Sequence, residues 1–422
     1  MTSAESGQTV KDVKIDLSGY DNFTVFTDDN GHYVIEDIAG DSGYEYDVTV
    51  SSGYFKGKNS SIDINGNKTA DFSIEEKTLR AHDAKATKTD DGIMVTWAEP
   101  MPEFRYDSGT PVDYIGWTHG KSEVIVGSAF HKKARIKEIS WYVTDRFGSH
   151  SNFNVFIFGL DEEGKPDPKN ILYVARNVES TDNAWSTHII GNAVEADGFM
   201  IAVSCDGFMG MGICEPTDEY PFNEGESFYA GDSYNLTISD MSSFAKVHPM
   251  LRAYGEDLDC ANKAAAESVE DNNSIDRPHK EYKVYRADVG SEKEDWQLVG
   301  TTESLNWYDK APVSHPVFYA VVASYSSGDA DEVRSNTVSI SSVASLFDYG
   351  VGVGPNPVGD ILNISGNELI QNITILSMDG KIVFSIDNPE PHINVSRLSS
   401  GLYVSVLTLK DSTVHTIQLI KK

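Results

Sequence analysis

Residues that can serve as nucleophiles, general bases or metal ligands are numerous in this sequence, but none of them stands in a catalytic motif. The eleven histidines never form His-Glu-x-x-His, the spacing that binds zinc in metallopeptidases. No Gly-x-Ser-x-Gly turn presents a serine, and neither Cys205 nor Cys214 lies in a thiol-peptidase signature. Glu215, Asp218 and Glu219 cluster in one loop, but a glycosidase pair is defined by the distance between its carboxylates. We therefore expect a protein that is not an enzyme.

Acidic residues outnumber basic ones almost two to one. The sequence has 34 Lys and Arg against 65 Asp and Glu, a formal net charge of -31. Such a chain repels phosphate backbones and anionic membranes, so we expect no nucleic-acid partner. Calcium prefers several oxygen ligands. Asp107 and Asp232 are candidate ligands of a structural calcium, and a solvated acidic surface without metal is the alternative. No other cofactor is indicated.

The three cysteines are too few for a disulfide scaffold and lack the paired spacing of a zinc site. Cys205 and Cys214 stand close together in sequence, with a glycine-rich stretch between them. In an oxidising compartment they could close a loop through a disulfide. Two buried reduced thiols are the alternative, and Cys260 has no evident partner.

Aromatic residues concentrate in one acidic stretch and form the candidate ligand-binding surface. Residues 208–213 read Phe-Met-Gly-Met-Gly-Ile, and five aromatic residues follow, namely Tyr220, Phe222, Phe228, Tyr229 and Tyr234. Exposed aromatic rings among carboxylates are suited to binding sugars or peptides. Packing in a core is the alternative for each ring. We select Phe208, Tyr220 and Tyr229 as the candidate ligand-binding residues.

The elements that would position these residues are β-strands. Apolar residues alternate with polar ones in short runs bounded by Gly, Asn and Asp, and helical periodicity is almost absent. The one helix-like stretch, residues 261–270, is short, and we expect it to be a linker. The chain length of 422 residues indicates two to four domains. We therefore expect an all-β protein of several β-sandwiches, and no apolar run is long enough to span a membrane.

The last part of the chain carries four motifs in a fixed order. They are Pro-Asn-Pro at 355–357, Met-Asp-Gly-Lys at 378–381, Leu-Ser-Ser-Gly-Leu-Tyr at 398–403, and two lysines at the end. This order resembles the type A C-terminal sorting domain of the Bacteroidetes type IX secretion system, to which we assign residues 344–422. The resemblance implies that the type IX secretion machinery is a partner and that the protein is secreted or held at the outer cell surface.

The first part of the chain, residues 1–76, resembles a carboxypeptidase regulatory-like domain. The marker of that family is a turn between two strands, and Thr27, Asp28, Gly31 and Tyr33 match it. The resemblance implies a small seven-stranded sandwich. Strands are predicted at residues 24–35, where Gly31 suits a hairpin turn and His32 is expected to point outward.

Two separated segments resemble the halves of one fibronectin type III domain. Residues 77–102 contain its first two strands and Trp97, which the family buries between its sheets. The third strand is missing after residue 100 and reappears in residues 260–343, which contain the family's Tyr-x-Val-Tyr-Arg motif. Because an insertion in a loop costs little closure entropy, we expect one sandwich interrupted by an insert, with Trp97 packed against Tyr282 or Tyr285.

The insert, residues 103–259, resembles the jelly-roll modules of secreted Bacteroidetes proteins, including adhesin-type domains. It begins with Tyr-Asp-Ser-Gly-Thr at 106–110 and ends with Leu-Arg-Ala at 251–253. Jelly rolls are compatible with binding carbohydrate or protein at their faces and loops. We therefore expect a non-catalytic, adhesin-like exported protein whose insert binds a glycan, or a host or surface protein.

An alternative function follows from the start of the sequence. The residues after Met1 are polar and no signal peptide is recognisable, so we expect that an N-terminal portion is missing. The chain would then be the accessory C-terminal region of a larger secreted peptidase or glycoside hydrolase.

Overall fold

The fold consists of β-sandwiches. The computed structural model describes residues 1–40, 45–89, 92–117, 124–146, 150–207, 209–230, 237–261, 274–291, 293–310, 316–338, 350–377, 381–410 and 414–422. Over these residues the helical elements are short 3-10 helices at Met241–Ser243, Lys293–Asp295 and Asn367–Leu369, and the remaining regular elements are strands. The predicted all-β fold is therefore confirmed.

The chain divides into two compact units. One unit comprises Met1–Lys310 and Phe318–Thr337, and the other comprises Ala311–Val317 and Val338–Lys422.

The N-terminal sandwich has seven strands. They are β1 Thr2–Ser3, β2 Thr9–Val10, β3 Lys14–Ser18, β4 Asn22–Phe26, β5 Glu45–Ser51, β6 Lys58–Asp63 and β7 Ser73–Ile74. One sheet has the order β4-β3-β5-β6. Along β5 the side chains of Tyr46, Val48 and Val50 are buried, while those between them are exposed. This period-2 alternation places β5 against one apolar core.

The predicted turn after β4 forms, but the predicted strand after it does not: the N–H of Asp28 donates to the carbonyl of His32 at 2.8 Å. The carboxylate of Asp28 accepts hydrogen bonds from the backbone N–H groups of Asn30, at 2.8 Å, and of His32, at 2.9 Å. Gly31 has a φ of +69°, which favours glycine. β4 itself ends at Phe26. The strand that the sequence predicts through residue 35 does not form.

The second sandwich begins with β8 His82–Thr89 and β9 Gly92–Ala98, after which the insert follows. The strands of the insert are β10 Glu103–Phe104, β11 Asp113–Trp117, β12 Val124–Val143, β13 His150–Leu160, β14 Pro166–Val178, β15 Ala184–Gly207, β16 Met209–Cys214, β17 Ser227–Ala230, β18 Ser239–Asp240, β19 His248–Pro249 and β20 Leu251–Asp257. All eleven belong to one continuous sheet.

Two long strands organise the insert. β12 has 20 residues and β15 has 24. The first half of β12 pairs with the end of β15, and its second half pairs with the start of β15. Side chains from both halves, including Val126 and Trp141, meet in one buried core with Phe153 and Phe199. The sheet therefore encloses its own apolar interior.

The chain then returns to the second sandwich. The later strands are β21 Ser274–Ile275, β22 Lys280–Asp288, β23 Gln297–Thr302, β24 Asn306–Asp309, β25 Val317–Tyr325 and β26 Gly328–Arg334. β21 pairs with β2 of the N-terminal sandwich instead. The other strands form a sheet β23-β22-β25-β26 and, with the two early strands, a sheet β24-β9-β8.

Trp97 links the two segments of this sandwich. Its ring meets the ring of Tyr282 edge to face, with centroids 5.2 Å apart, and both side chains are buried. Tyr285 lies beside Trp296 instead, at 6.5 Å. The two separated segments therefore fold together, as the missing third strand predicts.

We expect the substitution Trp97→Ala to lower the free energy of unfolding of this sandwich by about 3 to 5 kcal/mol, because it leaves a cavity between the sheets. Val289→Ala is the control, because Val289 is 57% exposed in the same sandwich; its cost should stay within about 0.5 kcal/mol. Urea unfolding measures both. Equal stabilities of the two variants would contradict a core position for Trp97.

The C-terminal unit is a separate sandwich. Its strands are β27 Gly352–Gly354, β28 Ile361–Ser365, β29 Ile370–Ser377, β30 Ile382–Asp387, β31 His392–Asn394, β32 Gly401–Leu409 and β33 Val414–Lys421. They form sheets of order β27-β28-β31 and β30-β29-β32-β33. A core of fourteen buried apolar side chains, among them Ile373 and Leu407, lies within this unit.

Candidate binding site of the insert

A buried ion pair lies beneath one face of the insert. Asp107 is fully buried, and Arg252 is 2% exposed. The guanidinium donates to both carboxylate oxygens of Asp107, from Nη2 to Oδ1 at 2.6 Å and from Nε to Oδ2 at 3.0 Å. Burial alone would lower the pKa of Arg252, but its acidic neighbours, including Glu103 and Asp107, outweigh that effect and raise the pKa above its ordinary value.

This pairing corrects the predicted role of Asp107 as a calcium ligand. Both of its oxygens already bind Arg252, and Oδ1 also accepts from the N–H of Gly109 at 2.9 Å. The negative charge is therefore neutralised by a guanidinium. Asp232, the other candidate, lies outside the described residues. Within the described ranges, no group of three or more His, Cys, Asp or Glu side chains is placed to hold a metal ion.

A second buried charge network joins the insert to the strand β8. Glu138 of β12 accepts a hydrogen bond from Arg80 and lies 3.0 Å from Nδ1 of His82. The guanidinium of Arg80 also stacks over the ring of Tyr254, 4.3 Å from its centroid. Burial raises the pKa of Glu138, but its bonds to His82 and Arg80 lower it by more. The insert is therefore fixed to its host sandwich by paired charges.

The predicted ligand-binding residues have different surroundings. Phe208 lies outside the described residues. Tyr220 is held by Arg105, whose Nε donates to the tyrosine hydroxyl at 3.1 Å and whose guanidinium lies 5.2 Å from the ring centroid. Tyr229 is partly buried and meets Phe244 edge to face at 5.0 Å. Phe244 is 53% exposed, so it forms an exposed aromatic pair with the partly buried Tyr229.

Phe222 is partly exposed, whereas the two neighbouring cysteines are buried. Phe222 covers the buried His248, with ring centroids 5.6 Å apart, and burial lowers the pKa of that histidine. Cys205 and Cys214 are both buried and reduced, and Cys214 Sγ donates to the carbonyl of Thr110 at 3.1 Å. In the structure, Cys205 and Cys214 are therefore two buried thiols, and no disulfide joins them.

The structure brings together three aromatic residues that the sequence analysis did not select. Tyr114 of β11, Tyr142 of β12 and Trp185 of β15 are partly exposed; we call them the aromatic row. Tyr142 lies opposite Trp185 in the strand pairing, and their ring centroids are 5.9 Å apart. Since Trp141 and Val143 point into the core, Tyr142 points to the other face of the sheet.

The strand β16 lies between the two tyrosines of the row. Tyr114 is opposite Gly212, and a Cβ atom added to Gly212 would lie 3.1 Å from the ring of Tyr142. Burial, and then the nearby hydroxyl of Tyr114, raise the pKa of Tyr142. The guanidinium of Arg252 lies 4.1 Å from the ring centroid of Trp185. Arg252 therefore contacts both Trp185 of the aromatic row and Asp107 of the buried ion pair.

In the C-terminal unit, the predicted motif residues hold the sandwich together. The side chain of Asn356 donates to the carbonyl of Gln418 at 2.7 Å and accepts from the N–H of Ile420 at 2.8 Å. The hydroxyl of Tyr403 donates to the carbonyl of Ser399 at 2.8 Å. The Asp-Gly turn at 379–380 lies outside the described residues. The Pro-Asn-Pro motif therefore binds the last strand of the chain.

Comparison with known families identifies this unit. Residues 353–422 match the family model described as a secretion system C-terminal sorting domain. The predicted type IX sorting domain is therefore confirmed, and the protein is exported across the outer membrane to the cell surface or the extracellular space. In the described part of the chain, no helix has the length and hydrophobicity needed to cross a membrane.

Similarity to other known proteins is slight. No curated protein matches the chain. The clostridial cysteine protease Cwp84 after propeptide cleavage is 11% identical with a TM-score of 0.27, over 38% of this chain and 41% of that one. The protease and lectin-like domains of Cwp84 from Clostridium difficile are 12% identical with a TM-score of 0.23, over 35% and 36%. The FN1-FN3 domains of chicken CNTN1 are 12% identical with a TM-score of 0.13, over 82% of this chain and 99% of that one. The chain thus spans less than half of either protease structure.

Proposed function

We propose that this exported protein is a non-catalytic, adhesin-like binding protein whose jelly-roll insert binds a glycan or a protein through the aromatic row. The observation that carries this proposal is the placement of three partly exposed rings on one sheet face: Tyr142 and Trp185 lie on paired strands, and Tyr114 lies one strand further, beyond β16. Tyr and Trp combine a large apolar surface with a polar group, which suits them to binding surfaces.

The supporting sandwiches give the row a rigid base. Tyr142 and Trp185 stand on the two longest strands of the insert. The ion pair of Glu138 with Arg80 fixes β12 to the segment before β8, and the guanidinium of Arg252 packs on the ring of Trp185. We assign the two sandwiches to the carboxypeptidase regulatory-like and fibronectin type III families. The same row would serve the alternative function, an accessory region of a larger secreted peptidase or glycoside hydrolase.

Alanine substitution in the row tests the proposal. We expect Tyr142→Ala and Trp185→Ala each to weaken binding to a ligand identified on glycan and host-protein arrays by about 2 kcal/mol or more. Tyr142 and Trp185 are partly exposed, so the melting temperature should change less than it does for Trp97→Ala. Phe244→Ala is the matched control on the Tyr229–Phe244 surface. If both row variants bind as the parent protein does, the aromatic row is not the binding site. If only Phe244→Ala weakens binding, the binding site is the Tyr229–Phe244 surface.

A further inference from the structure

One sheet of the sorting domain has an outer face without charged residues. In the sheet β30-β29-β32-β33, the side chains of Ile373, Leu407 and Leu419 belong to the core of the unit. Neighbouring side chains of a strand point to opposite faces, so the residues between these core positions face outward. β29 and β32 contain no charged residue, and Lys421 of β33 is 8% exposed on the core side of its strand. The outward residues of these three strands are therefore all neutral.

Five aliphatic residues of this face lie next to one another, and we call them the apolar patch. They are Leu376 on β29, Leu402, Val404 and Val406 on β32, and Ile420 on β33. Leu376 is opposite Val404, and Leu402 is opposite Ile420. Leu402 is 36% exposed and Ile420 is 42% exposed, and the other three are partly exposed. The patch is thus contiguous across three strands and in contact with solvent.

The other sheet of the same sandwich gives a comparison. On its outer face Ile361 of β28 is 44% exposed, but its neighbours are polar, with Asn394 opposite it and Asn363 two residues further along the strand. A single exposed aliphatic residue is ordinary, whereas a contiguous apolar cluster on an exposed surface marks a site of interaction. The apolar patch is therefore the stronger candidate for a contact surface.

We propose that the sorting domain docks on the type IX secretion machinery through the apolar patch, and that the receiving protein offers an apolar surface of low charge. Residues 353–422 are a sorting domain, so this machinery is the partner that the unit must meet. The centres of protein interfaces are depleted in charge, and a face without charge has no group that could pair with a strongly charged partner. This inference rests on the sorting role and is independent of what the insert binds.

Export of charged variants tests the docking surface. Leu402→Lys and Ile420→Lys each place a charge in the patch at a side chain that is at least 36% exposed, so the sandwich should still fold. We expect each variant, expressed as the full chain behind a signal peptide in a host with type IX secretion, to be exported about tenfold less than the parent chain. The reason is that docking would bury an unpaired charge. Leu402→Met, which keeps an apolar side chain, should be exported as the parent is.

Ile361→Lys is the matched control, because it adds the same charge at similar exposure on the other sheet; it should be exported normally. Melting temperatures of the purified chains show which variants are folded. If a lysine variant is not, the double variant Leu402→Thr with Ile420→Thr, which keeps strand-forming residues, takes its place and should also be exported less.

Export of folded patch variants at the parent's level, or an equal loss for Ile361→Lys, would overturn the docking surface. Sedimentation of the purified chains distinguishes another occupant of the patch. A parent chain that sediments as a dimer, with patch variants that sediment as monomers, would assign the patch to a second copy of this chain. The parent chain, exported in the same assay, shows that the sorting role itself is intact.

Discussion

Replacing Arg252 by methionine is expected to lower the free energy of unfolding of the insert by about 3 to 5 kcal/mol, because the carboxylate of Asp107 would remain buried without a partner. The contact is bidentate, and both side chains are almost completely buried. Urea unfolding of the full chain measures the loss, with the transition of the insert followed by the fluorescence of its tryptophans.

Two controls separate the ion pair from general packing. The double variant Arg252→Met with Asp107→Leu removes both charges, so it should recover much of the lost stability. Lys165→Met breaks an ion pair with Glu163 in which both side chains are exposed, and it should cost less than about 1 kcal/mol. A single Arg252→Met variant as stable as Lys165→Met would show that the buried charge of Asp107 is compensated by another group.

Deleting residues 353–422 is expected to keep the protein inside the cell envelope. These residues form the sorting domain, and the type IX machinery acts on that domain. With both chains expressed behind a signal peptide in a host with type IX secretion, immunoblots of medium, cell surface and periplasm should find the truncated chain in the periplasm alone, while the full chain appears outside. We expect export of the truncated chain to be lost completely, because we recognise no second sorting motif in the sequence of residues 1–352.

A reporter fusion provides the complementary test. Residues 344–422 joined to a periplasmic reporter should carry that reporter across the outer membrane. The same fusion with Asn356→Ala, which removes two hydrogen bonds to β33, should be exported less if the folded sandwich is what the machinery recognises. A reporter that stays in the periplasm with the intact segment would contradict the sorting role.

The fold could be predicted to a large extent because its signals are local. Strand alternation is visible within a few residues, and the sorting motifs follow one another within one segment. The interrupted sandwich was also predictable, since Trp97 lacked a third strand nearby and Tyr282 offered one. At residues 28–32 the predicted turn forms, with Asp28 bonding the backbone N–H groups of Asn30 and His32, but residues 32–35 do not form a strand after it.

The candidate site was less predictable because its residues are distant in sequence. Tyr114, Tyr142 and Trp185 come from three separate strands, and only the pairing of those strands aligns them. The calcium role predicted for Asp107 could not be weighed against an ion pair, because its partner Arg252 lies 145 residues later in the sequence. One available signal was the alternation at residues 209–212, which indicates methionines on one face and glycines on the other.

The insertion also sets an order in time. β8 and β9 are made first, but β24, which pairs with β9, follows only after roughly 200 further residues, or about 10 to 40 s of synthesis. In any passage from the N-terminus to the C-terminus, the whole insert emerges before its host sandwich can close. During that period β9 has an unpaired edge, because its partner strand β24 has not yet been made. The second sandwich can therefore complete its fold only after all strands of the insert have been made.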